Sequence, residues 1–92
     1  MKVLWTESAA EDLARIVEYI SLDNTEAARR VAKVVFGTIM SLSDMPYRGR
    51  KRSIDGSREL VFASWPYVAV YEIIDDKIYI EGIRHTSRNW SE

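Results

Sequence analysis

The second half of the chain alternates apolar and polar residues in three short runs, Ser57 to Ala63, Tyr67 to Ile74 and Lys77 to Ile83. A period of two sends successive side chains to opposite faces, so each run reads as a β-strand. In the first, Arg58, Leu60 and Phe62 share one side. The second is apolar on both faces apart from Glu72 and is expected to be the central strand. Trp65-Pro66 and Asp75-Asp76 supply the turns between the runs, which predicts a three-stranded antiparallel meander. Regular alternation along the third run would place Tyr79, Glu81, Ile83 and His85 on one side and Ile78, Ile80, Gly82 and Arg84 on the other.

In the first half the period changes. Lys2-Val3-Leu4-Trp5 is a short apolar run suited to a strand, after which Ser8 and Glu11 have capping-box spacing. Ala9, Leu13, Ile16, Val17 and Ile20 then recur at helical spacing as one buried stripe, with Glu11 and Arg15 as an i,i+4 pair outside it. Ser21 to Asn24 interrupts the stripe and offers a second cap. A longer helix follows on Ala28, Val31, Val35, Ile39 and Leu42, with Glu26, Arg29, Arg30 and Lys33 on its far face. Gly37 costs about 1 kcal/mol of helix propensity relative to alanine, which predicts close packing at that position. Pro46 ends the helix, because proline disfavours helical geometry in the residue before it. The order β-α-α-β-β-β defines an α+β fold. An N-terminal strand joins the sheet, a two-helix antiparallel hairpin covers one sheet face, and one domain spans residues 1–92.

Composition adds limits. A chain of 92 residues, 47% hydrophobic and 29% charged, is globular in character, and a domain of this size buries only roughly 60–65% of its unfolded surface. The absence of cysteine removes disulfide and thiolate chemistry and fits a reducing, cytoplasmic setting. No long apolar run suggests an export signal or a membrane span. The net charge of −1 hides a basic stretch, Arg48, Arg50, Lys51, Arg52 and Arg58, broken only by Asp55. A pI of about 5.8 argues against broad nucleic-acid binding and leaves a local acidic partner for this loop, with Arg50 and Arg52 as candidate contacts.

A single histidine without cysteine gives no zinc ligand set, and neither a metal nor another cofactor is implied. The last run leads into Arg84-His85-Thr86-Ser87-Arg88-Asn89-Trp90, a cationic aromatic tail that marks a contact surface. Cleavage at a ribose 2′-hydroxyl needs a base, an acid and cations around the phosphate, roles open to His85, Glu81, Arg58, Arg84 and Arg88. Against it, a regular strand separates Arg84 from Glu81 and His85. Arg58 either anchors an acidic group or lies across apolar surface beside a carboxylate. Trp90 either packs back on the sheet or offers an exposed contact. Tyr67, Tyr71 and Tyr79 read as sheet packing.

Gly56-Ser-Arg-Glu-Leu60, Pro66-Tyr-Val-Ala-Val-Tyr-Glu-Ile73 and Ile83-Arg-His-Thr-Ser-Arg-Asn-Trp90 resemble the RelE/ParE toxins of bacterial type II toxin–antitoxin systems. Ala9-Ala-Glu-Asp-Leu13 with Ile16 and Tyr19-Ile20, then Pro46 and Gly49-Arg50, extend the likeness in the family's usual order. The resemblance implies a toxin neutralised by a cognate antitoxin that joins a DNA-binding domain to a segment wrapping the toxin. One branch of the superfamily cleaves messenger RNA on the ribosome; the other, ParE-like, inhibits DNA gyrase. Family ribonucleases are strongly basic and carry a sheet-face arginine near the place where this chain has Tyr67-Val68. The Gly-x-Arg-Glu-Leu and His-x-x-Arg-x-Trp elements look more like ParE members. The resemblance therefore favours a gyrase inhibitor whose target contacts are Arg58, Arg84, His85, Arg88 and Trp90. The alternatives it leaves are a ribonuclease using His85, Arg58 and Arg84, since His85 sits where some ribonuclease members carry a functional histidine, and a nontoxic member that only binds antitoxin.

Overall fold

The computed structural model of the chain describes residues 1–52 and 55–86. Strand β1 (Lys2–Trp5) leads into helices α1 (Glu7–Ser21) and α2 (Thr25–Met40), the latter extended by a 3-10 turn over Ser41–Ser43. Four strands follow: β2 (Arg50–Lys51), β3 (Arg58–Val61), β4 (Tyr67–Ile74) and β5 (Lys77–His85). They form one sheet in the order β1-β5-β4-β3-β2, antiparallel throughout except that β1 runs parallel to β5. The expected α+β fold, its meander and the central position of β4 are present. The basic loop differs from expectation, because Arg50 and Lys51 pair with Glu59 and Arg58 as a short edge strand.

The core lies between the helices and one face of the sheet. Val31, Val35, Ile39 and Leu42 from the α2 region meet Leu60, Phe62, Ala69, Tyr71, Ile78, Ile80 and Ile83, with Leu13, Ile16 and Ile20 packed against them. Burying each Val, Leu, Ile or Phe side chain contributes about 1.5–3 kcal/mol. Asp75 and Asp76 both take positive φ, 50° and 65°, the geometry of a tight hairpin turn whose twist matches that of the flanking strands.

Several local expectations are corrected. Thr6, not Ser8, caps α1: its hydroxyl accepts from the Ala9 amide at 3.1 Å and donates to the Ile80 carbonyl at 2.8 Å, tying the helix start to β5 where β1 leaves the sheet. Asn24 caps α2, its Oδ1 accepting from the Ala27 amide at 3.0 Å. Arg15 pairs with Asp12 at 2.7 Å instead of with Glu11, because the Asp12 carboxylate is already held against the sheet edge by the Ile83 amide at 3.0 Å. Gly37 is exposed and a Cβ there would meet nothing within 4 Å, so close packing does not account for it.

The alternation along β5 also breaks. Tyr71 faces Ile80, but Val70 faces Gly82, leaving Glu81 as the extra residue of a β-bulge. Ile83 therefore lies opposite Ala69 and joins the same core as Ile78 and Ile80, which strict alternation would have denied it. β5 also continues past Ile83 through Arg84 and His85.

Candidate functional site

The basic residues divide between two ends of the sheet. Arg58 lies opposite Tyr71 and His85 opposite Tyr67. Those partners are four positions apart along β4, about 13 Å at 3.3 Å per residue. Arg84 lies opposite Val68, and its guanidinium is 3.8 Å from Asp12. The His85 ring meets the Tyr67 ring edge-on at 5.0 Å. Arg58 and the Arg84–His85 pair thus do not converge on one point. Arg88 and Trp90 lie outside the described residues.

At the Arg58 end, backbone and side chains interlock around residues 45–49. The Tyr71 hydroxyl donates to the Pro46 carbonyl and accepts from the Gly49 amide, both at 2.8 Å. Burial pushes this phenol above its ordinary value, against smaller opposing effects of the Gly49 amide, Arg58 and Arg48. The Arg58 guanidinium donates to the Gly49 carbonyl at 2.7 Å and the Tyr47 carbonyl at 3.4 Å, and sits 5.0 Å from the centre of the Tyr47 ring. Gly49 is required here: a Cβ would lie 2.6 Å from the Tyr71 ring and 2.8 Å from the Glu59 carbonyl. The loop presents Tyr47, 61% exposed, and Met45, 54% exposed, beside Arg48, which donates to the Ser41 hydroxyl at 2.7 Å.

Arg50 and Arg52 gather on Glu59. Arg50 reaches its carboxylate at 3.3 Å and Arg52 at 4.0 Å. The Arg50 side chain stays 71% exposed and the Arg52 side chain only 11%, so Arg50 and Lys51 supply the open positive charge of this edge. Asp55 closes the turn below them by accepting from the Ser57 hydroxyl at 2.7 Å and its amide at 3.1 Å, which holds its carboxyl below the usual carboxylate range.

On the sheet face away from the helices, Glu72 lies opposite Tyr79 and diagonally beside Glu81. Burial, then the hydrogen bond and charge of Glu72, push the Glu81 carboxyl up to about 7, with Asp55 adding to the rise and Arg52 opposing it. This raised Glu81 carboxyl was not anticipated from sequence. The signal was available, since the Asp75-Asp76 hairpin fixes Glu72 against Tyr79 and brings Glu81 two residues further along. Tyr47 and Asp12 were missed for a different reason: Tyr47 meets the Arg58 guanidinium through its carbonyl and ring, and Asp12 meets a strand amide, contacts that no side-chain pattern announces.

The described residues include no group of three or more His, Asp or Glu arranged to hold a metal ion. No helix among them is long and apolar enough to cross a membrane.

The fold agrees with the comparisons. The family described as "ParE toxin of type II toxin-antitoxin system, parDE" matches residues 3–90. The protein Y4kP of Sinorhizobium fredii is 33% identical over 99% of this chain and 94% of its own length. Toxin RelE2 of Caulobacter vibrioides is 38% identical over 95% of this chain and 97% of its own length. A chain in the solved structure of the chromosomal ParDE system from P. aeruginosa superposes with a TM-score of 0.83 at 27% identity, covering 95% of this chain and 97% of that one. The chain belongs to the ParE toxin family, within the RelE/ParE superfamily of type II toxin–antitoxin toxins.

Proposed function

We infer that this toxin arrests growth by inhibiting DNA gyrase in the cytoplasm, and that a cognate antitoxin with a DNA-binding domain neutralises it. The observation that carries this reading is the ParE family match over residues 3–90, supported by the likeness to a chain of a ParDE system. The action is binding without catalysis. A phosphodiester-cleaving site needs converging cations and a proton-transfer pair, whereas Arg58 and His85 sit apart along β4. Glu81, the group whose pKa suits proton transfer near neutrality, lies beside Glu72, and that second carboxyl repels a phosphate.

The Toxin RelE2 relative keeps a ribosome-dependent ribonuclease as the second reading, with His85, Arg58 and Arg84 as its active groups. Induction without antitoxin separates the two. DNA-damage signalling that precedes any fall in protein synthesis is expected, while rapid messenger RNA cleavage with replication intact would overturn the gyrase reading. The tail supplies target contacts through Arg84, His85, Arg88 and Trp90. Truncation after Thr86 keeps the whole of β5 and the 2.8 Å bond from the Thr86 amide to the Pro66 carbonyl. It is expected to abolish toxicity while leaving antitoxin binding in place, as read by growth arrest and co-purification.

A further inference from the structure

The loop over residues 45–49 is more firmly built than a connection between a helix and a two-residue edge strand requires. Its Pro46, Tyr47 and Gly49 carbonyls and its Gly49 amide are all bonded by two side chains, Tyr71 from β4 and Arg58 from β3. A fifth bond, from the Arg48 amide to the Met45 carbonyl at 3.1 Å, closes the turn. Placing a fully buried phenol and a half-buried guanidinium under a surface loop leaves an aromatic ring and a methionine facing solvent at its crest. A loop fixed in this way loses little further entropy when it binds, and tyrosine beside arginine is the composition of binding hot spots.

We propose that the Tyr47–Met45 crest, with Arg48 in the loop and Lys51 in the adjoining strand, is a docking surface for an acidic segment of the toxin's protein target, and that Arg58 is a positioning residue that sets it. Charge complementarity selects the occupant. Arg48 within the loop and Lys51, opposite Arg58 on β2, are exposed cations set against one exposed carboxylate, Asp44, while Arg50 lies opposite Glu59 and pairs with it and the chain as a whole carries −1. With a net charge of −1 on the chain, an extended polyanion such as nucleic acid gains little beyond the crest, whereas a short carboxylate-bearing segment around an apolar side chain is satisfied by the crest alone. Arg58 acts through the loop: its hydrogen bonds go to the Tyr47 and Gly49 carbonyls and its flat face to the Tyr47 ring.

The proposal rests on the gyrase reading for the identity of the target, and the test separates the two. Tyr47→Ser, Lys51→Glu, Arg58→Ala and Arg58→Lys are compared with the parent toxin for inhibition of gyrase supercoiling, antitoxin affinity and thermal midpoint. Tyr47→Ser and Lys51→Glu alter exposed side chains, so their thermal midpoints are expected to match the parent. Both are expected to lose inhibition at least tenfold with antitoxin affinity unchanged. Arg58→Lys keeps the charge but not the two-pronged grip on the loop, and its inhibition is expected to fall with that of Tyr47→Ser even where the fold is retained. Full inhibition by Tyr47→Ser, or loss of antitoxin affinity in its place, would overturn the proposal. So would a labelled single-stranded oligonucleotide that binds the parent and is released tenfold by Tyr47→Ser. If the parent leaves gyrase untouched, the gyrase reading fails; the docking surface is then judged by growth arrest in cells, which Tyr47→Ser and Lys51→Glu must still abolish.

Discussion

At the scale of single residues, Gly49 and Tyr71 constrain each other closely. A methyl group at position 49 has no room beside the Tyr71 ring and the Glu59 carbonyl. Gly49→Ala is expected to cost about 1–3 kcal/mol from overpacking, read as a fall in thermal midpoint of roughly 4–8 °C per kcal/mol. Tyr71→Phe keeps the ring but leaves the Pro46 carbonyl and Gly49 amide without their partner. Its expected cost is about 1–3 kcal/mol, the penalty for stranding buried polar groups, measurable as a lower urea midpoint. Neither role was legible in sequence. Tyr71 alternates with its neighbours like any strand tyrosine, and only the folded loop shows that its hydroxyl reaches two backbone groups more than twenty positions upstream.

At the scale of elements, the β4–β5 hairpin carries a titration. The folded Glu81 holds its proton up to about pH 7, whereas the unfolded chain releases it near the ordinary value of 4.5. Between those values the folded state binds more protons, so this group's contribution to stability falls as pH rises through the window and levels off above it. Asp55 acts in the opposite sense, its stabilising contribution being lost as pH falls through its lowered pKa, below 3.8. Urea midpoints measured between pH 5 and pH 8 are expected to decline for the parent and to flatten for Glu81→Gln; an unchanged slope in that variant would remove Glu81 as the source. The same hairpin shows where pattern reading stops. The turn, the strand pairing and the central strand follow from alternation and from Asp75-Asp76. The bulge does not, because one extra residue is invisible until Val70 is seen facing Gly82 in place of Glu81. The helix starts show the same boundary: Asn24 was readable as a cap, whereas Thr6 displaced Ser8 because its hydroxyl also serves the Ile80 carbonyl across the sheet.

At the scale of the whole molecule, the sheet separates two surfaces that a linear reading joins. Sequence places Arg58 and the Arg84–His85 pair together as one cationic set, but the register sets Arg58 and His85 opposite β4 residues four positions apart, on either side of that strand. That separation is what a binding protein with two contact regions requires, and it is poor geometry for a nuclease that must surround one phosphate. The proposed action is inhibition of gyrase by contact. The most direct measurement is a purified gyrase supercoiling and DNA-cleavage assay with this toxin, run beside digestion of messenger RNA on programmed ribosomes. Loss of supercoiling with accumulation of cleaved DNA and intact messenger RNA is the expected result, and messenger RNA cut on the ribosome with gyrase unaffected would contradict it.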